Sequence, residues 1–513
     1  MTKHTSISLP KDVIIGKDLL ELVTSAMYVD PLTIYREYIQ NAVDSIDEAK
    51  EMGIIKEKER GRIDIHLNLA RRSILIRDNG TGVPNGEFGK RLTALGGSKK
   101  RGTSARGFRG IGRLAGLGYC QTLIFRSRSI GDAAVQELRW DCRSLKRLIT
   151  DPAFDGGIQD VIKSVATINE IDSNGYPEHF YEVELDKPIR IKNDLLLNRD
   201  EIHFYLSQVA PVPFNPNFKF SQKIILKLNE YCKLSDVDIF FDEMDTPIYR
   251  PYKNSTQISD DRYEEFNDLE FRVIDGLNDG VSAVVWVLHH GYHGAIPSTE
   301  GIRGLRARKG NIQVGEHKIF ADAYPETRFN NWTVGEVHIL DPKVIPNGRR
   351  DDFEQNAHYS HVIHQLSSLG DHIARLCRSN SIVRNRIKTF DIGANKIEEK
   401  IKIIEQGALS GIDVDNIMSE IRSELFEIKK AAESTVLTQD NRENLLNRHT
   451  ELDNKISTVL KNSSNTNALD NLPDREQDII KKMIGLIYEC SVNRIAAKSL
   501  VDRILAKIGE NLS

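Results

Sequence analysis

Arg36-Glu37-Tyr38-Ile39-Gln40-Asn41-Ala42-Val43-Asp44 is the stretch on which the fold turns. Ile34, Tyr38, Ile39, Ala42 and Ile46 recur at helical spacing, and Asp30-Pro31 breaks the pattern upstream, so a helix begins with proline near its first turn. A separate helix is expected before the break, over Leu19, Leu20, Leu22 and Val23. On a helix turning about 100° per residue, Glu37, Asn41 and Asp44 fall at roughly 0°, 40° and −20°, on one face. An acid, an amide and a second acid so aligned could hold a divalent cation through oxygen and polarise a water. The same pattern also suits a solvated helix face.

Downstream, Ile63, Ile65, Leu67 and Leu69 alternate with polar residues, Ala70-Arg71-Arg72 turns, and Ile74-Leu75-Ile76 returns, which predicts a β-hairpin ending at Asp78. Asp78-Asn79-Gly80-Thr81-Gly82 follows. A carboxylate where an apolar strand ends could lie at a pocket floor and accept a hydrogen bond from an amine such as that of adenine. Gly80 and Gly82 would let backbone approach the ligand, although the run also reads as an ordinary turn. Then Gly96-Gly97-Ser98-Lys99-Lys100 leads to Gly107-Phe108-Arg109-Gly110-Ile111-Gly112-Arg113. Glycines opening a helix present free N–H groups to phosphate, and Lys and Arg neutralise it. No G-K-[ST] ends the run, so it is not a Walker A loop; a surface loop is the other reading. Strands at Thr122 to Arg128 and Gln136 to Trp140 complete an α+β sandwich to about residue 195.

Glu-x3-Asn-x2-Asp on a helix, Asp-x-Gly-x-Gly after a hairpin, and Gly-x-x-Gly-x-Gly, in that order, resemble the N-terminal ATPase of the GHKL superfamily (the Bergerat fold). Leu19 to Tyr28 followed by Tyr35-Arg36-Glu37 is most similar to the ninety-kilodalton heat-shock chaperone branch, and MORC and MutL ATPases are relatives. The resemblance implies ATP and Mg2+ as ligands, and roles for individual residues. Glu37 would be the general base, Asn41 would reach the magnesium ion, Asp78 would bind the adenine amine, and Gly80 and Gly82 would sit beside the base. Gly107, Gly110, Ile111 and Gly112 would face the β- and γ-phosphates. Gly96 to Arg106, with Ser98 and Lys99, would form a mobile lid, and Asp44 would join the nucleotide site. Farther on, Val334-Gly335-Glu336-Val337 and Ile345-Pro346-Asn347-Gly348-Arg349-Arg350-Asp351 resemble the chaperone's middle domain. That match implies Arg350 as a catalytic arginine reaching the γ-phosphate, with Arg349 its rival; an Arg-Asp surface pair is the alternative. Gly175 to Asp186 carries no Gly-Thr signature for the threonine strand that closes the family's adenine pocket.

The 513 residues carry 70 Lys+Arg against 74 Asp+Glu, a net charge of −4, with 40% hydrophobic and 28% charged residues, so collagen-like, disordered and membrane classes are excluded and bulk-charge nucleic-acid binding is disfavoured. Five scattered cysteines without a C-x-x-C pair indicate neither a disulfide framework nor a zinc knuckle, and with no signal-peptide pattern a cytoplasmic location is expected. His289, His290 and His293, and His361 with His364, lack a completing Cys or acid and read as structural. The expected organisation is an ATP-binding domain over 1–195, an α+β middle domain over 196–375, and a helical, coiled-coil-like region over 376–513. Ile417, Ile421, Leu425 and Ile428 form a stripe there, Asn462 to Asp470 reads as a linker, and Asp474 to Ile508 as a last amphipathic stretch. The expected activity is an ATPase, a homodimeric clamp that remodels protein partners. A DNA-associated clamp of MORC or MutL kind, serving genome surveillance or phage defence, is the second reading, and a non-hydrolysing nucleotide switch the third.

Overall fold

Asp30 Oδ1 accepts the Leu32 N–H at 3.0 Å and the Asp30 carbonyl accepts that of Thr33 at 3.1 Å, which starts helix α1 (Thr33–Glu51) one turn past the Asp-Pro break. Gly53, at φ 73°, ends it by returning its N–H to the Lys50 carbonyl. In the computed structural model the described residues are 30–94, 112–242, 244–260, 262–405, 411–463 and 472–512. The expected helix over residues 19–28, the lid from Gly96 to Arg106 with Ser98 and Lys99, and Gly107, Gly110 and Ile111 lie outside them.

The hairpin forms as read, from β1 (Gly61–Asn68) and β2 (Ser73–Asp78), with Ile65 opposite Ile76 and Leu67 opposite Ile74. Alternation buries Ile63 and Ile65 on β1, and Ile74 and Ile76 on β2, against Ile39, Val43 and Ile46 of α1. Burying each such side chain stabilises the fold by about 1.5–3 kcal/mol. Next come α2 (Asn85–Thr93), β3 (Thr122–Arg128), β4 (Val135–Asp141), α3 (Cys142–Thr150), α4 (Ile158–Val165), β5 (Ala166–Ile171), β6 (Phe180–Asp186), α5 (Arg199–Val209), α6 (Ser221–Asn229) and β7 (Val237–Phe241). They complete a seven-stranded sheet in the order β5-β4-β3-β6-β2-β1-β7. Every pair is antiparallel except β1 with β7, where Gly61 stands opposite Val237. The edge strand therefore comes from beyond residue 195, a segment the sequence reading placed in the middle region. Parallel pairing between distant segments leaves no local signal.

The remaining strands are β8 (Ser255–Ser259), β9 (Arg262–Glu265), β10 (Asp268–Asp275), β11 (Val281–His289), β12 (Gly304–Lys309), β13 (Ile312–Val314) and β14 (Val334–Ile339). β10 to β14 form a second sheet in the order β10-β11-β14-β12-β13, and β8 pairs with β9. The nearly continuous apolar run of β11 is buried from Ser282 to Leu288 because both faces are covered. Phe214, Phe218, Tyr252 and Trp286 pack beneath it.

The chain divides into two compact units, Met1–Ala374 and Arg375–Ser513. The C-terminal third is helical: α7 (Ala357–Glu405), α8 (Gly411–Ala432), α9 (Gln439–Ser463), α10 (Asp474–Cys490) and α11 (Arg494–Leu512). Ile421 and Ile428 of the expected stripe are buried in a core with Phe390, Ile397 and Ile401, and Ile417 and Leu425 pack against it. The fold is thus α+β, with an α/β sandwich at the N-terminus, a second mixed sheet, and helices after it. Among the described residues no helix is long and apolar enough to cross a membrane.

Candidate functional site

Helix α1 is no solvated face. Glu37 is 7% exposed and Asp44 8%, and Asn41 is half-buried between them. The Glu37 Oε1 atom lies 3.7 Å from Arg350 Nε and 3.7 Å from Arg36 Nη2, close enough for charge attraction but too far for a hydrogen bond. Among the described residues no hydrogen bond to this carboxylate is formed. Gly112, which opens a 3-10 turn through Gly118, abuts it: a Cβ there would overlap Glu37 Oε2. One helical turn is locked to that segment by Tyr38, whose hydroxyl accepts the Gly116 N–H at 2.8 Å.

Asp78 ends β2, opposite Ile63 on one side and Tyr181 of β6 on the other. It is 3% exposed, and no cation pairs with it among the described residues. Its Oδ1 accepts the Gly80 N–H at 2.8 Å and it bonds the Ser45 hydroxyl, yet burial outweighs both and pushes the carboxyl up to about 8. Gly80 packs on Ser45 of α1, where a Cβ would overlap the serine side chain. Gly82 has φ 69°, and a Cβ would overlap the Arg128 carbonyl. These two positions need glycine for space and, at Gly82, for conformation. The loop is tied down by Ser129, which donates to the Thr81 carbonyl at 3.0 Å, and by the Val83 N–H, which donates to Ser127 Oγ at 2.7 Å.

The two arginines of the Asn347–Asp351 loop point in different directions. Arg349 is turned outward, its Nε 3.3 Å from Asp351 Oδ2 with both side chains 54% exposed. Arg350 is turned inward to Glu37, its side chain 13% exposed. It adopts φ 58°, a left-handed conformation that costs a non-glycine residue about 1–2 kcal/mol. The surroundings hold it there: Arg36 Nη2 donates to the Arg349 carbonyl at 3.0 Å, and the Gly315 N–H donates to the Arg350 carbonyl at 2.9 Å.

Sequence reasoning missed Tyr38, Ser45, Tyr181 and His179. β6, the strand without a Gly-Thr signature, is central, between β3 and β2, and brings Tyr181 opposite Asp78. His179 Nδ1 lies 2.8 Å from the Gly80 carbonyl. Their signal is absent from sequence because the pairing of β2 with β6 spans a hundred residues of chain. Of the histidines singled out, His290 and His293 bond opposite oxygens of Glu264, each at 2.6 Å, an acid their spacing did not reveal, and His289 bonds Glu270 at 2.8 Å. No group of three or more His, Cys, Asp or Glu side chains suited to a metal occurs among the described residues.

Residues 33–156 match the family described as histidine kinase-, DNA gyrase B-, and HSP90-like ATPase. The chaperone protein HtpG of Polaromonas naphthalenivorans is 27% identical over 139 residues, 24% of this chain and 22% of that protein. HtpG of Fusobacterium nucleatum is 36% identical over 72 residues, 13% and 12% of the two chains. HtpG of Burkholderia lata is 26% identical over 155 residues, 27% and 24%. The match thus spans less than a quarter of the length of these relatives. The helix, hairpin and glycine motifs belong to a GHKL-type ATPase domain, and the similarity runs to the ninety-kilodalton chaperone branch.

Proposed function

We propose that this chain binds ATP with magnesium in the cradle of α1, hydrolyses it, and uses the cycle to remodel protein partners in a chaperone-like way. One observation carries the reading: two glycine motifs distant in sequence abut the same helix, Gly112 at Glu37 and Gly80 at Ser45. Eight helical residues put those contacts about 12 Å apart, a separation that suits phosphates at one end and a base at the other.

The residues fit such a ligand. A buried Asp78 without a cation accepts an amine donor, and Gly80 and Gly82 let the loop beside it pack directly on Ser45 and the Arg128 carbonyl. Asn41 Oδ1 is the oxygen that would hold magnesium, beside Asp44; the ion, when bound, supplies charge neutralisation along the phosphates. Glu37 orients a water and takes its proton. Arg350 leaves Glu37 for developing phosphate charge, and Gly112 offers its N–H. Ser98, Lys99, Gly107, Gly110 and Ile111 would complete the phosphate side and the lid. Because Arg36 holds the carbonyls behind Arg350, a shift of that loop is felt directly by α1. We place the protein in the cytoplasm as a homodimer, with domains at 1–195, 196–375 and 376–513.

The test is magnesium-dependent turnover of the wild type, Glu37→Ala and Asp78→Asn, with nucleotide binding measured in parallel. Glu37→Ala should bind ATP and lose turnover by about 10²–10⁴-fold. Asp78→Asn should bind ATP about a hundredfold more weakly. A wild type that binds but never hydrolyses would make the chain a nucleotide switch, and one that does not bind would end the proposal. Turnover that DNA stimulates, with steep salt dependence, would replace the chaperone-like reading by a DNA clamp.

A further inference from the structure

β12 turns two arginines inward on alternate positions, Arg306 and Arg308, and a third, Arg250, meets them beneath the second sheet. Two carboxylates face this group: Asp236, whose Oδ1 lies 3.7 Å from Arg250 Nη2, and Glu336. Glu336 of β14 is fully buried, and four donors occupy its two oxygens. Oε1 accepts from Arg308 Nε at 2.5 Å and Tyr252 OH at 3.0 Å. Oε2 accepts from Arg250 Nη1 at 2.7 Å and lies 3.0 Å from His338 Nε2. Arg306 is left over. It is 5% exposed, its Nη1 donates to the neutral Gln313 Oε1 at 3.0 Å, and its Nε has no acceptor. No carboxylate lies within ion-pair distance of it among the described residues.

Arg303 has the same deficit. Its Nη2 donates to His317 Nε2 at 2.9 Å, and its Nε is also buried without an acceptor. Burial, Arg303, Arg306 and Lys318 drive the His317 imidazole down to about 4, so at neutral pH it is uncharged and relieves none of the excess. Both arginines line a cavity of about 490 Å³ that also receives Arg36, Arg349 and Arg350. Three carboxylates line it too, Asp30, Glu316 and Asp351, and Asp351 is engaged by Arg349. Five guanidiniums against three carboxylates leave the wall cationic, and the deepest of them, Arg306, has no carboxylate partner among the described residues.

An uncompensated buried charge costs several kcal/mol, and guanidinium forks match the oxygens of phosphate in geometry and charge. We propose that this cavity is a second binding site for a phosphate group, adjoining the nucleotide cradle through Arg36 and Arg350, with Arg306 and Arg303 as its principal ligands. Thr33 and Arg36 line it from α1, a helix that also carries Glu37. Occupancy therefore bears on the same helix that orients the proposed general base, and the site is defined whether or not ATP is turned over.

The experiment uses the full chain in phosphate-free buffer, titrated with inorganic phosphate by calorimetry and by thermal melting, with chloride at matched ionic strength as control. The wild type should bind phosphate saturably and melt higher with it. Arg306→Met and Arg303→Met should each weaken that binding at least tenfold while ATP affinity stays within about twofold. Without phosphate, Arg306→Met should melt at or above the wild type, since it removes a stranded charge and keeps an apolar stem. Absence of saturable binding, binding that survives both substitutions, or stoichiometric displacement of phosphate by ATP would overturn the proposal. So would an Arg306→Met chain that melts well below wild type, because the arginine would then be scaffold. A parallel titration with glycerol 3-phosphate separates the sources: tighter binding of the ester points to a phosphorylated metabolite, and binding of inorganic phosphate alone to the free anion.

Discussion

Asp78 at the end of β2 and Glu336 within β14 are both deeply buried carboxylates, and they have opposite surroundings. Glu336 accepts from the neutral Tyr252 hydroxyl and sits among Arg250, Arg308 and His338, which hold its carboxyl well below the usual range against the opposing effect of burial. Asp78 has only an amide and a hydroxyl, and burial pushes it up to about 8. The first is complete within the chain. The second has two neutral donors and, among the described residues, no cation, which leaves acceptor capacity for a ligand. Burial alone therefore does not mark a functional acid; burial without internal compensation does.

The largest effect that tests this contrast is expected at Glu336. Glu336→Gln keeps the shape but strands two arginines, and should lower unfolding stability by about 3–5 kcal/mol in a denaturant titration. A variant that unfolds like the wild type would break the comparison at its structural end. Asp78→Asn should do the reverse: at pH 5 its denaturant stability stays within about 1 kcal/mol of the wild type, while ATP affinity at neutral pH falls about a hundredfold, or about 2.7 kcal/mol. Equal losses of stability and affinity would make Asp78 ordinary scaffold.

The same pair separates with pH. Between about 4 and 8 the folded, ligand-free chain keeps a proton on Asp78 that the unfolded chain has released, so this residue makes stability fall as pH rises, by at most about 5 kcal/mol across the window. Glu336 acts oppositely, its contribution present above the ordinary carboxylate range and lost as acid protonates it. Melting temperatures of wild type and Asp78→Asn compared from pH 5 to 9 should show the variant gaining on the wild type up to about pH 8 and level thereafter. A constant difference would sink the assignment. The smallest effect is reserved for Tyr38→Phe, which leaves the buried Gly116 N–H without its acceptor. About 1–2 kcal/mol of stability should go, with ATP affinity changed less than at Asp78.

Much of this was legible in sequence, for identifiable reasons. The helix of Glu37 and the hairpin ending at Asp78 are local patterns with the right period, and the glycines announce close approach. Arg350 was readable as a candidate, but its choice over Arg349 depends on a left-handed φ that no spacing reveals. Tyr181 opposite Asp78 and the Glu336 network arise from strands that meet across long stretches of chain. The acid in Val334-Gly335-Glu336-Val337 gives no sign that it faces three arginines.

The parallel seat of β7 on β1 has a consequence for how the protein is made. Arg60 and Asp238, which meet across that seam, lie 178 positions apart. At about 5–20 residues per second, a ribosome takes roughly 10–30 s to supply the second strand after the first has emerged. For that interval the nascent sheet has an open parallel edge beside Ile63 and Ile65, the kind of surface that recruits another chain. Synthesis must outrun such encounters or be shielded from them, and a chain halted near residue 200 would keep the edge exposed for good.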